Sequence, residues 1–82
     1  MSHEIPPLSE TAQNFQLGRY QHYKGDFYQA LHIGRIEENH EECVVYQAEY
    51  GNNEIWIRPL SIFTEMVNLN DKEVPRFKLI TE

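Results

Sequence analysis

Residues 43–58 read CVVYQAEYGNNEIWIR, a strand, a turn and a second strand. Cys43 to Tyr50 is rich in β-branched and aromatic side chains, which suit a pleated, half-buried surface. The two-residue period puts Val44, Tyr46, Ala48 and Tyr50 on one face. Val45, Gln47 and Glu49 take the other, mostly polar face. Gly51-Asn52-Asn53 is a hairpin signal, because Gly and Asn accept the positive φ angles of tight turns. Glu54 to Arg58 is then the partner strand. It ends at Pro59, which has no N–H to give to a ladder. By hydropathy Ile55 and Ile57 take its core face, leaving Trp56 and Arg58 together on the opposite, partly exposed face. The expected core is therefore Val44, Tyr46, Ala48, Ile55 and Ile57, joined by Phe77 from the end of the chain.

Working back towards the N-terminus, Glu37 to Glu42 is a charged loop. Its four glutamates repel one another and lack the ligand alternation and turn glycine of a calcium loop, so it is expected to be mobile and metal-free. Phe27 to Ile36 is a strand, expected to bend near Gly34, where a bulge costs least. Lys24-Gly25-Asp26 is a turn, and Arg19 to Tyr23 precedes it as another strand. Residues 1–16 are polar, carry Pro6-Pro7, and form an extended or loosely held arm. Ser9 is placed to cap one helical turn in this arm, and Ile5, Leu8 and Phe15 are the side chains able to pin it. Towards the C-terminus, Leu60 to Phe63 is a short helical turn. Thr64 to Leu69 and Glu73 to Leu79 are strands around an Asn70-Asp71 turn. The expected fold is mostly β: residues 17–82 form a small barrel or roll of five to six short antiparallel strands with one short helical turn. Such closure also disposes of exposed strand edges.

With 82 residues, 40% hydrophobic and 12% aromatic, the chain supports one domain with one core. Its net charge of −6 opposes binding to nucleic acid or to an anionic membrane surface. The lone cysteine, Cys43, cannot form an intramolecular disulfide. No run approaches a membrane span, and no charged, then apolar, leader opens the chain. A reducing cytoplasm is the expected compartment.

The stretch Arg19-Tyr20-Gln21-His22-Tyr23-Lys24-Gly25 resembles the opening of a bacterial family of domains of unknown function, number 1653. The resemblance extends through Val44-Val45-Tyr46, Tyr50-Gly51, the block from Trp56-Ile57-Arg58-Pro59-Leu60-Ser61 to Phe63, and Val74-Pro75-Arg76-Phe77. It covers about Gly18 to Leu79. It implies a small SH3-like barrel and implies no activity. Two departures stand out. Relatives often carry His-Ser-Glu-Thr where this chain has Ile36-Glu37-Glu38-Asn39, so a role of that His and hydroxyl does not carry over. They often carry Gly at Asp71, another turn-compatible residue.

No phosphate-binding glycine loop, serine elbow or zinc-protease helix occurs, and no catalytic residue, cofactor or metal ligand is assigned. His22, His32 and His40 are not spaced as zinc ligands, and Cys43, at the start of an apolar strand, reads as a packed thiol. Three constellations remain as binding candidates. Tyr20 and His22 share one strand face, with Tyr23 and Lys24 at the following turn. Trp56 and Arg58 pair a flat ring with a guanidinium able to bond a carboxylate or phosphate. Arg76 lies opposite Phe77, with Glu65 or Glu73 as its acid. The expected function is a binding module that uses this aromatic and arginine surface to hold a protein, a peptide or a small anion, as a monomer or weak homo-oligomer. The competing readings are an enzyme or metal-dependent domain around His22 and the acidic loop, and a passive structural subunit.

Overall fold

The computed structural model describes residues 4–81. In chain order the elements are α1 (Glu10–Asn14), β1 (Gly18–His22), β2 (Phe27–Arg35), β3 (Glu42–Ala48), β4 (Ile55–Pro59), α2 (Leu60–Phe63), β5 (Met66–Leu69), β6 (Lys72–Pro75) and β7 (Phe77–Leu79). The fold is mostly β, as the alternation and turn chemistry required, with every strand pair antiparallel. Five strands form one sheet in the order β4-β3-β2-β1-β7, and β5 and β6 form a separate hairpin.

The strand count is seven because the run from Glu73 to Leu79 divides at Arg76. The Arg76 N–H donates to the Glu65 carbonyl at 2.9 Å, and its carbonyl accepts from the Tyr23 N–H at 3.0 Å. One residue thus leaves the hairpin and joins the main sheet. In the β5–β6 turn, Asn70 and Asp71 both sit in the left-handed region, at φ 53° and 66°. That is the geometry of the tight hairpin turn their residue types favour. The bend in β2 falls between Ala30 and His32, where the register with β3 shifts, not at Gly34.

The main sheet curls around an aromatic core of Tyr20, Tyr46, Phe63 and Phe77, filled in by Ala12, Ala30, Val44 and Leu60. Phe63 and Phe77 stack with ring centres 4.0 Å apart. The edge strands β4 and β7 are not paired by backbone bonds. They approach through side chains, with the Arg58 guanidinium 5.5 Å from the centre of the Phe77 ring. In the arm, Ser9 caps α1 by accepting from the Ala12 N–H at 3.1 Å, and its own hydroxyl donates to Glu42. Phe15 then stacks on Tyr20.

Val44, Tyr46, Ala48 and Phe77 are buried as expected, but Ile55 and Ile57 are not: they are 58% and 64% exposed. The expected faces of β4 are inverted. Its register pairs Tyr46 with Trp56 and Val44 with Arg58, and directly opposed residues share a face of the sheet. Trp56 and Arg58 therefore lie on the concave, core-lining face, and the two isoleucines point outward. Ile57→Ala is accordingly expected to cost less than about 1 kcal/mol in a urea melt, not the several kcal/mol of a core truncation.

Candidate functional site

On the concave face, next to the core, Tyr28, Tyr46, Tyr50, Trp56 and Arg58 line a cleft of about 210 Å³. A second hollow of about 260 Å³ continues past Trp56 towards Gly51, Asn52 and Glu54. Each wall has a local cause. Tyr46 and Trp56 are cross-strand partners. Tyr28 pairs with Ala48 on the next strand. Tyr50 sits at the head of the β3–β4 turn, where Gly51 takes φ 59°. Its hydroxyl lies 2.9 Å from that of Tyr28. Burial, then this bond, pushes the Tyr28 phenol well above its ordinary range, so it stays protonated.

Arg58 is half-buried at the foot of the cleft. Its Nε donates to the Tyr46 hydroxyl at 3.1 Å, which fixes the guanidinium plane. Arg19 pairs with Glu49 and Arg76 with Glu65. Arg58 makes no salt bridge among the described residues.

His22 borders this region on the β1 side. Its ring centre is 6.4 Å from that of Tyr28, 4.9 Å from that of Phe77 and 4.6 Å from that of Tyr23. The Lys24 N–H donates to its Nδ1 at 3.2 Å, which requires that nitrogen to be unprotonated. Its pKa lies below the ordinary 6.5, first because burial penalises the imidazolium, then because Arg58, Arg76 and Lys24 repel it; Asp26 opposes them. Three cations thus act on one point of a chain whose net charge is −6. A histidine whose pKa is lower folded than unfolded leaves stability intact above the unfolded value. It erodes stability as the pH falls from there towards the folded value. Urea midpoints should therefore drop between about pH 7.5 and about pH 5.5 by less in His22→Gln than in the unsubstituted protein. An equal drop in both would show that His22 does not titrate in this window.

Of the residues singled out in the sequence, the fold gathers His22, Tyr23, Lys24, Trp56, Arg58 and Arg76 around this face. Arg76 is held by Glu65 at 2.8 Å, one of the two acids expected for it. Tyr20 shares the face of His22 but lies deeper. It is buried, and its hydroxyl donates to the Gln16 carbonyl at 2.6 Å, so it serves the core. Tyr28 and Tyr50 complete the cleft and were not singled out. The signal for Tyr28 was sheet position, two strands away from Trp56, and for Tyr50 its place at the start of the turn that leads into β4. His22 and Tyr23 also border a cleft of about 430 Å³ with Leu69, Val74 and Pro75, between the main sheet and the β5–β6 hairpin.

Cys43 is buried, and burial raises its thiol pKa, the opposite of what a thiolate nucleophile needs. Among the described residues no three His, Cys, Asp or Glu side chains come together as a metal would require. The acidic loop is tied by its backbone: the Ile36 N–H donates to the Glu41 carbonyl and the His40 N–H to the Ile36 carbonyl. No helix among the described residues is long and apolar enough to cross a membrane.

An antiparallel roll of this size with an aromatic, cation-bordered concave face defines a class of small β domain, and solved structures contain one closely similar in shape. A crystal structure of a DUF1653 protein from Bordetella bronchiseptica is 38% identical, covers 84% of this chain and 91% of that one, and superposes with a TM-score of 0.78. The family model described as protein of unknown function, DUF1653, matches residues 18–79. The chain belongs to the DUF1653 family. No curated protein matches it.

Proposed function

We propose that this domain is a cytoplasmic binding module whose concave cleft holds an anionic group, a carboxylate or phosphate, presented by a peptide beside an apolar or aromatic residue. One observation carries the reading: Arg58 is half-buried, oriented by Tyr46, and without a carboxylate of its own among the described residues. A guanidinium held in one plane has less freedom to lose on binding an oxyanion, and it offers two parallel N–H groups to it. Trp56, Tyr28 and Tyr50 supply rigid walls against which a neighbouring ring or aliphatic chain can pack. Arg58, Arg76 and Lys24, the cations around His22, favour such a group locally, against the negative charge of the chain as a whole.

Trp56 is the only tryptophan, so intrinsic fluorescence reads this cleft directly. Titration at low salt with an aromatic-acidic peptide, its amidated neutral counterpart and inorganic phosphate is expected to give a saturable change with the acidic peptide. The response should weaken as salt is added. Equal responses to the acidic and neutral peptides, or none to either at millimolar concentration, would overturn the reading.

A further inference from the structure

The free edge of β4 carries an exposed apolar run. Ile55, Trp56 and Ile57 are consecutive, and all three are exposed. β4 terminates the main sheet. The Ala48 N–H donates to the Glu54 carbonyl at 2.9 Å. In an antiparallel ladder hydrogen-bonded and non-bonded pairs alternate, so Glu54, Trp56 and Arg58 spend their backbone groups on β3. The N–H and C=O groups of Ile55 and Ile57 then point out of the sheet edge. Natural sheets usually blunt such an edge with a charge, a proline or a bulge. Here Pro59 does so only at the end of the strand, and the two residues with free backbone groups are isoleucines.

We infer that two copies of this chain join through this edge, β4 against β4 about a two-fold axis at Trp56, so that Ile55 pairs with Ile57 of the partner subunit and Glu54 faces Arg58 of the partner subunit. The register follows from self-complementarity. Centred on Trp56, the outward-pointing groups of Ile55 and Ile57 meet their counterparts in two hydrogen-bonded pairs, giving four backbone bonds. The four isoleucine side chains cluster on the outer face, beside Val45, the cross-strand partner of Ile57. On the concave face the two Trp56 rings become direct neighbours. Glu54 and Arg58 have no salt-bridge partner within the chain among the described residues, and each meets one opposite charge across the axis, so the pair occurs twice in the dimer. Centring the pairing on Ile57 would set Ile55 against a proline with no N–H. Centring it on Ile55 would set Ile57 against Asn53. Neither register brings Glu54 opposite Arg58.

Arg58 serves one acid at a time, so this dimer closes the cleft proposed above as the anion site. The inference stands on the strand edge and holds whether or not that cleft takes a ligand. The test is sedimentation equilibrium on the full chain over micromolar to millimolar concentration, with circular dichroism to verify folding. Dimer is expected for the unsubstituted protein. Glu54→Arg, which puts like charges opposite each other twice, should weaken association about tenfold. Ile57→Lys should abolish it. Glu54→Arg combined with Arg58→Glu should restore it. A monomer throughout the range would overturn the inference. So would a Glu54→Arg protein that dimerises as before, or a folded charge-swapped pair that associates no better than Glu54→Arg alone. Should Arg58→Glu unfold the chain, Ile57→Lys decides, because Ile57 is exposed: a dimer that survives it is not built on β4.

Discussion

Phe63→Ala is expected to cost about 3–5 kcal/mol, the largest loss from any single truncation in this chain. The whole domain is stable by only about 4–12 kcal/mol for its length, so the variant should be largely unfolded at modest denaturant. Phe63 is 1% exposed. Its ring stacks on Phe77 and meets Phe15, Tyr20 and Tyr46 edge-on at 5.3–5.5 Å between centres. It comes from α2, a four-residue helix that cannot hold its shape alone. That helix is formed because Leu60 and Phe63 drop into the open side of the curled sheet. Removing the ring therefore deletes the contact joining the arm, β1, β3 and β7, and leaves a cavity the stiff sheet cannot fill. Ile62→Ala on the same helix, where the side chain is exposed, serves as the control and should cost little. Urea melts followed by circular dichroism and Trp56 fluorescence measure both. A loss below about 1 kcal/mol for Phe63→Ala would mean that α2 does not close the core.

The second large effect concerns the cleft. Replacing Trp56 and Arg58 together by alanine is expected to weaken binding of an acidic peptide about a hundredfold or more, as loss of a central aromatic and its arginine does at other interfaces. The stability cost should stay near 1–2 kcal/mol. Trp56 is half exposed, and what Arg58 gives the fold is one bond to Tyr46 and a loose approach to Phe77. Tyr46→Phe separates orientation from charge. It keeps the core ring, removes the acceptor that holds the Arg58 Nε, and should weaken binding several-fold with stability within about 1 kcal/mol. Titration of Arg58→Ala alone and of Tyr46→Phe, each checked by melts, distinguishes a missing charge from a misplaced one. Undiminished binding by the folded double variant would place the ligand elsewhere, with the cleft beside His22, Leu69 and Val74 the next surface to probe.

Much of the architecture was legible in short segments, because strand alternation and turn chemistry act over a few residues. Val44, Tyr46 and Ala48 alternate into the core as their spacing demands. Gly51-Asn52-Asn53 and Asn70-Asp71 turn the chain where their backbone preferences place turns. Ser9 caps α1 for the same local reason. The orientation of β4 is a different kind of fact. Ile55-Trp56-Ile57-Arg58 alternates equally well with either set inward, and hydropathy favours the isoleucines. What settles it is the ladder. Five residues, 49–53, lie between Ala48 and Glu54, and an odd number keeps the inward side of β3 opposite the even-numbered residues of β4.

The sequence alone established a small mostly β domain, its turns and its membership of a family, all matters of local preference and pattern. The fold established which aromatics are core and which are surface. Tyr20 and Phe63 went to the centre, while Trp56, Tyr28 and Tyr50, from three separate strands and turns, became one wall with Arg58 beneath it. It also left β4 and β7 unpaired, so that a strand edge remains open where a closed barrel would have none. Those outcomes depend on cross-strand register and sheet curvature, which arise from contacts between residues far apart in the chain and leave no mark in any single segment.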